Sequence, residues 1–139
     1  MTTAWQTDEP PTRIKPPRRW RDKFAEAFRG VRVGVRGQSS FCVHLFFACL
    51  AVLAALALQC DPVEWCLIVG CIGLVFTAEL FNSAVETLFQ GLDPAARDRV
   101  YHALDIAAGA VLVACLTAAT VGGIVLGRKL LLIVGVIEG

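Results

Sequence analysis

Charge is missing from most of this sequence. Positions 41–58, 65–78 and 106–126 contain no Asp, Glu, Lys or Arg. A soluble helix or strand keeps a polar face toward water, so runs this long exclude an ordinary soluble domain. Cys-x-x-Cys spacing is absent although the chain has six cysteines, and neither a disulfide framework nor a zinc site is expected. The cysteines read instead as small apolar residues in packed helices. There is no P-loop and no Gly-x-Gly-x-x-Gly, which excludes a soluble-type nucleotide fold. Nothing resembles a cleavable leader, because the first apolar run starts only at position 41.

What is present fits a membrane. Of the 139 residues, 56% are hydrophobic, and mean hydropathy is +0.63. A hydrocarbon core about 30 Å thick needs roughly 20 apolar residues in helix. The expected fold is all-α and integral to the membrane, with three spans near 40–59, 64–90 and 104–126. The second is long enough to emerge from the bilayer at its C-terminal end. In the turn between the first two spans, Asp61 is a helix cap with Pro62 in the first helical turn. Trp65 is an interface anchor there. The third span carries a ridge of Ala107, Ala108, Gly109, Ala110 and Ala114, continued by Ala118, Ala119, Gly122 and Gly123, which suits close helix or subunit contact. The apolar stretch 130–137 is too short to span and is expected at the outer surface.

The net charge of +1 conceals an asymmetry: nine of thirteen Lys and Arg residues precede position 41, and the turn 59–64 has none. The positive-inside rule therefore puts the N-terminus and the loop 91–103 in the cytoplasm. Positions 1–18, with Pro10-Pro11 and Pro16-Pro17, read as a disordered tail. The membrane domain is 19–139. It opens with a surface helix over 19–37, where Trp20, Phe24, Phe28, Val31 and Val35 form an apolar row among basic residues. Such a helix lies on an anionic leaflet. A helix is also expected to run from Val100 straight into the third span.

The unusual stretch is 78–90. Glu79, Asn82, Ser83, Glu86 and Gln90 follow helical steps of three and four and share one face. A charged side chain in a span costs at least about 2.5–3.5 kcal/mol, so these carboxylates need a partner or a task. Asp105 enters the next span from the same side. His44, one turn into the first span, reads as a satisfied packing residue. Carboxylates at an interface suit Mg²⁺ and the phosphates it accompanies, and one of them suits a base toward a hydroxyl. On spacing alone, phosphoryl transfer and proton-coupled transport compete equally.

The block Glu79-Leu80-Phe81-Asn82-Ser83-Ala84-Val85-Glu86, read as E-x-x-N-S-A-x-E, resembles the signature of the prokaryotic diacylglycerol kinase and undecaprenol kinase family. Asp105-Ile-Ala-Ala-Gly-Ala-Val-Leu resembles the start of that family's third span. Phe24-Ala-Glu-Ala-Phe-Arg-Gly30 resembles its surface helix, and Phe41-Cys-Val-His44 the start of its first span. The likeness covers about 19–126. It implies transfer of the ATP γ-phosphate to a lipid hydroxyl with Mg²⁺, in a homotrimer of the bacterial inner membrane with shared active sites. No nucleic-acid partner is expected. Carried over by position, Glu79 is the catalytic base and Glu86 a Mg²⁺ ligand. Asn82 and Ser83 support the site, Asp105 belongs to the nucleotide region, and Arg19 meets phosphate. Gln38 stands where the family has a metal-binding Glu. Gln90 replaces an Asp, Leu104 a Lys and Cys42 an Arg, and Ala95-Ala96-Arg97 replaces the usual loop residues. Arg97 or Arg99 is the candidate substitute for the Lys, and Asp93 for the Asp. A non-catalytic homologue that binds lipid or a partner is the alternative reading.

Overall fold

The structure, a computed structural model, describes residues 19–36 and 39–136; the expected tail at 1–18 and Gln38 lie outside them. The described residues form five α-helices and no strand: α1 (Trp20–Val35), α2 (Ser39–Ala57), α3 (Pro62–Gln90), α4 (Pro94–Val100) and α5 (His102–Ile133). Helices α2, α3 and α5 are long and apolar enough to cross a membrane, so the all-α three-span architecture stands. At 1.5 Å per residue α3 is about 44 Å long and α5 about 48 Å, more than a bilayer core needs.

The turn between α2 and α3 is fully hydrogen-bonded. Cys60 N–H reaches Ala55 O at 3.0 Å and Gln59 N–H reaches Leu56 O at 3.2 Å, with Gln59 in the left-handed region at φ 53°. This is a Schellman ending, unusual in having glutamine where glycine is favoured. Asp61 then caps α3 as expected. Its Oδ1 accepts from Val63 N at 2.8 Å and Glu64 N at 3.0 Å, while Glu64 Oε2 accepts from Asp61 N at 2.8 Å. The bond from the Glu64 amide holds the Asp61 carboxyl below its ordinary range.

Helices α3 and α5 form the principal pair. Ala55, Ile68 and Val125 are buried together near the α2–α3 turn, with Trp65 packed against them. Lys129 Nζ meets Glu64 Oε2 at 2.9 Å and ties the far end of α5 to the start of α3. The apolar stretch 130–137, expected at the outer surface, is part of α5 as far as Ile133. Helix α5 continues to Ile133, because one glycine, Gly127, costs only about 1 kcal/mol and Lys129 gains a partner. It ends in a second Schellman motif, with Val136 N–H on Leu131 O at 3.0 Å and Gly135 at φ +74°. The expected unbroken helix from Val100 is also corrected: α4 ends at Val100 and α5 begins at His102.

No residue of α1 is buried, and Trp20, Phe24 and Phe28 stand exposed. The helix touches α3 near its own C-terminus. A Cβ on Gly34 would lie 2.8 Å from Leu80 Cδ2, so glycine there permits the close approach. Between α2, α3 and α5 runs an apolar groove of about 700 Å³. Ala118, Ala119, Gly122 and Gly123 of the small-residue ridge line it on α5.

Candidate functional site

Level with the start of α2, α3 buries a carboxylate. Glu79 is 1% exposed and is the largest fully buried side chain among the described residues. The first turn of α2 is held against it by Phe41, whose ring stacks on Phe76 at 5.1 Å between centroids. That contact brings Ser40 Oγ to donate to Glu79 Oε1. One turn further along α2, His44 Nε2 lies 3.7 Å from Glu79 Oε2. His44 Nδ1 in turn faces Cys115 Sγ of α5 at 3.8 Å. Three helices thus contribute to one polar chain inside an otherwise apolar layer.

The same α3 face continues beyond the start of α2. From Glu79 to Gln90 the helix rises about 16 Å. Asn82 and Ser83 are buried. Asn82 Nδ2 donates to Glu86 Oε1 at 2.8 Å. Among the described residues Ser83 Oγ has no hydrogen-bond partner, although it is buried. Its backbone carbonyl accepts from Thr87 Oγ1 at 2.8 Å. A buried hydroxyl without a partner is uncommon, and each one calls for an explanation. The donor set here, a carboxylate and an amide, is oxygen-based and suits a hard cation that keeps water or phosphate oxygens as its other ligands. The described residues alone hold no group of three or more His, Cys, Asp or Glu that could take a metal. Gln38 lies outside the described residues.

The structure gathers Glu79, Asn82, Ser83 and Glu86 but sets two other candidates apart. The Asp105 side chain is 74% exposed and lies 4.0 Å from His102 on its own helix. It is not among the α5 residues, Ala103, Ile106, Ala107 and Ala110, that line a small cavity with Asn82 and Val85 of α3. Arg19 precedes α1 and sits about 22 Å along that helix from Gly34, where α1 meets α3. The loop substitutes are engaged elsewhere. Arg97 donates to the Gln90 carbonyl at 2.5 Å and the Leu92 carbonyl at 3.0 Å, closing the C-terminus of α3. Arg99 donates to Ala95 O at 3.2 Å, and Asp93 caps α4 by accepting from Ala96 N at 3.0 Å. Three side chains around Glu79 were not singled out as site residues from sequence: Ser40, His44 and Cys115. Ser40 and His44 are four apart and share a helix face, which is a readable signal. Cys115 gives none.

The sequence profile of the prokaryotic diacylglycerol kinase family matches residues 25–126. The chain belongs to that family. An undecaprenol kinase from Bacillus subtilis (strain 168) is 29% identical over 107 residues, covering 77% of this chain and 87% of that protein. No solved structure matches the chain. The family match takes in Ser40, His44, the whole Glu79 face and Cys115, and stops before Lys129.

Proposed function

We propose that this chain is an ATP-dependent lipid kinase that phosphorylates a membrane alcohol, with Glu79 as general base. The observation that carries the reading is the state of Glu79. It is almost wholly buried, and among the described residues it is met by a hydroxyl and an imidazole rather than by Lys or Arg. It also lies beside the groove that His44 and Cys115 line. Along α2 this groove runs from Val43 to Ala54, about 16 Å, and its walls are apolar. A lipid chain lying there would present its hydroxyl near Glu79.

In the proposed reaction Glu79 takes the hydroxyl proton, and the lipid oxygen attacks the γ-phosphorus of ATP. The bond from that phosphorus to the bridging oxygen breaks, and ADP leaves. Mg²⁺, when bound, would neutralise charge building on the phosphate oxygens. Glu86 would hold it, with Gln38 offering a neutral oxygen and Asn82 fixing the Glu86 carboxylate. The unpartnered Ser83 hydroxyl is suited to donate to a phosphate or lipid oxygen. Asp105 and Arg19 stand away from Glu79 within one chain, which supports a homotrimer in which a neighbour completes the nucleotide region. The excess of Lys and Arg before position 41 supports a cytoplasmic N-terminus and an active face toward cytoplasmic ATP in a bacterial inner membrane. Diacylglycerol and undecaprenol are the candidate acceptors.

One observation favours a second reading, a silent homologue that only binds lipid. Arg97, Arg99 and Asp93 are committed to helix ends, so nothing described in this chain replaces the charges missing at Leu104 and Gln90. Labelled γ-phosphate transfer in vesicles separates the two. Protein with Mg-ATP is offered diacylglycerol and undecaprenol separately, with Glu79→Gln alongside. Labelled lipid from the wild type and none from the variant supports the kinase. No label with either lipid, from folded protein, favours the silent homologue.

A further inference from the structure

We propose that His44 is a positioning residue that sets the orientation of the Glu79 carboxyl. The inference rests on the reading of Glu79 as base. A packing imidazole would face apolar neighbours, yet both ring nitrogens of His44 address polar atoms on different helices. Its surroundings are Glu79 from α3 and Cys115 from α5, and its own helix adds Ser40 on the other carboxylate oxygen. An ionised carboxylate only accepts, so Nε2 carries the hydrogen toward Oε2. The lone pair of Nδ1 is then left facing Cys115, whose thiol donates to it.

The imidazole is thereby fixed between α3 and α5. At 3.7 Å the Nε2 contact is longer than a hydrogen bond. Contacts of this kind are commonly long before substrate binds and tighten in the reacting complex. Ser40 on Oε1 and His44 on Oε2 restrain rotation of the carboxyl and leave it further lone pairs for a substrate hydroxyl. Without Nε2 one oxygen is unrestrained in an apolar layer, and the base is misaimed.

The test uses three replacements at one position in the vesicle assay with Mg-ATP and lipid. Glutamine carries an N–H at the same reach from the backbone as Nε2. Asparagine carries one only at the reach of Nδ1, and leucine carries none. His44→Leu and His44→Asn are expected to lose about 100-fold in kcat with little change in the KM for ATP. His44→Gln is expected to keep kcat within about 10-fold of wild type. Equal losses in His44→Gln and His44→Leu would overturn the inference, as would a His44→Leu variant that matches wild type. Full activity in Glu79→Gln would overturn the base reading and this inference together. Loss in Glu79→Gln with no loss in His44→Leu would overturn this inference alone.

An infrared readout needs no turnover. The carboxylate band of Glu79, isolated by subtracting Glu79→Gln spectra, should move in His44→Leu and return in His44→Gln. A band that stays in place in His44→Leu overturns the inference even if neither lipid is phosphorylated.

Discussion

Helix α3 carries three glutamates, and the protein treats the two buried ones, Glu64 and Glu79, oppositely. Glu64 meets an ammonium group at 2.9 Å and accepts from the Asp61 amide. Glu79, about 22 Å further along the helix, receives a hydroxyl and an imidazole instead. Near Glu64 the helices pack on Ala55, Ile68 and Val125; the apolar groove runs from Ile68 and Leu126 along α2 to His44, which faces Glu79. The first carboxylate is neutralised and holds the bundle. The second is buried without a full counter-charge, an arrangement that is costly within a span. With Glu79 as the proposed base, the contrast separates a structural end of the molecule from a chemical end.

The largest effect should come from exchanging each glutamate for glutamine. On the proposed reading of Glu79 as base, Glu79→Gln should lower lipid phosphorylation by at least about 10²–10⁴-fold while leaving the melting midpoint unchanged or raised. Glu64→Gln should do the reverse, with near-normal turnover and a lower midpoint. Similar losses of turnover in both variants would erase the distinction between the two ends.

Next in size is the other half of the Glu64 pair. Lys129→Met leaves Glu64 with its backbone donor only and should lower the melting midpoint in detergent. The double variant with Glu64→Gln should recover part of that loss. Acid probes the same end through Asp61. Its carboxyl is held low by the Glu64 amide, so its folded value lies below its unfolded value, about 3.9. The stabilisation is present above the unfolded value and is lost as pH falls through the folded one. Asp61→Asn should therefore flatten the stability profile below about pH 4 and leave it unchanged in form near neutrality.

The two ends were not equally legible. Asp61 and Pro62 announced the cap, because capping is local chemistry between residues two or three apart. The Glu79 face was legible for the same reason, since its members lie on one helix at steps of three and four. Partners contributed by other helices were not. Lys129 meets Glu64 across 65 positions, and nothing in either stretch names the other. Cys115 and His44 are separated by 71. The three spans were plain from missing charge, but the continuation of the third helix to Ile133 was not. Gly127-Arg128-Lys129 resembles a stop until Glu64 supplies a reason to continue. Asp105 was readable as a charge entering a span, yet its distance from Glu79 depends on which face of α5 meets α3.

At the chemical end, Ser83 tests whether an unpartnered group is kept for use. Ser83→Ala removes a buried hydroxyl that has no partner, so stability should rise by about 1 kcal/mol. If the hydroxyl serves a substrate, the same change should raise a KM for ATP or lipid by a few-fold while kcat falls less. A stability gain with unchanged kinetics would make Ser83 a packing residue and shrink the chemical end to Glu79, Asn82 and Glu86.

The smallest expected effect lies at the structural end, in the left-handed residue of the α2–α3 turn. Gln59 adopts φ 53°, a conformation that costs a residue with a Cβ roughly 1–2 kcal/mol relative to glycine. Both hydrogen bonds of the Schellman ending depend on that conformation. Gln59→Gly removes the steric conflict but loosens the unfolded chain, which offsets part of the gain. The net should be a stabilisation of about 0.5–1 kcal/mol, read as a small rise in melting midpoint. Turnover should not change, because the turn precedes Pro62, about 26 Å along α3 from Glu79. A change in kcat from this substitution would mean that the closed end transmits its geometry to the open one, and the division between them would fail.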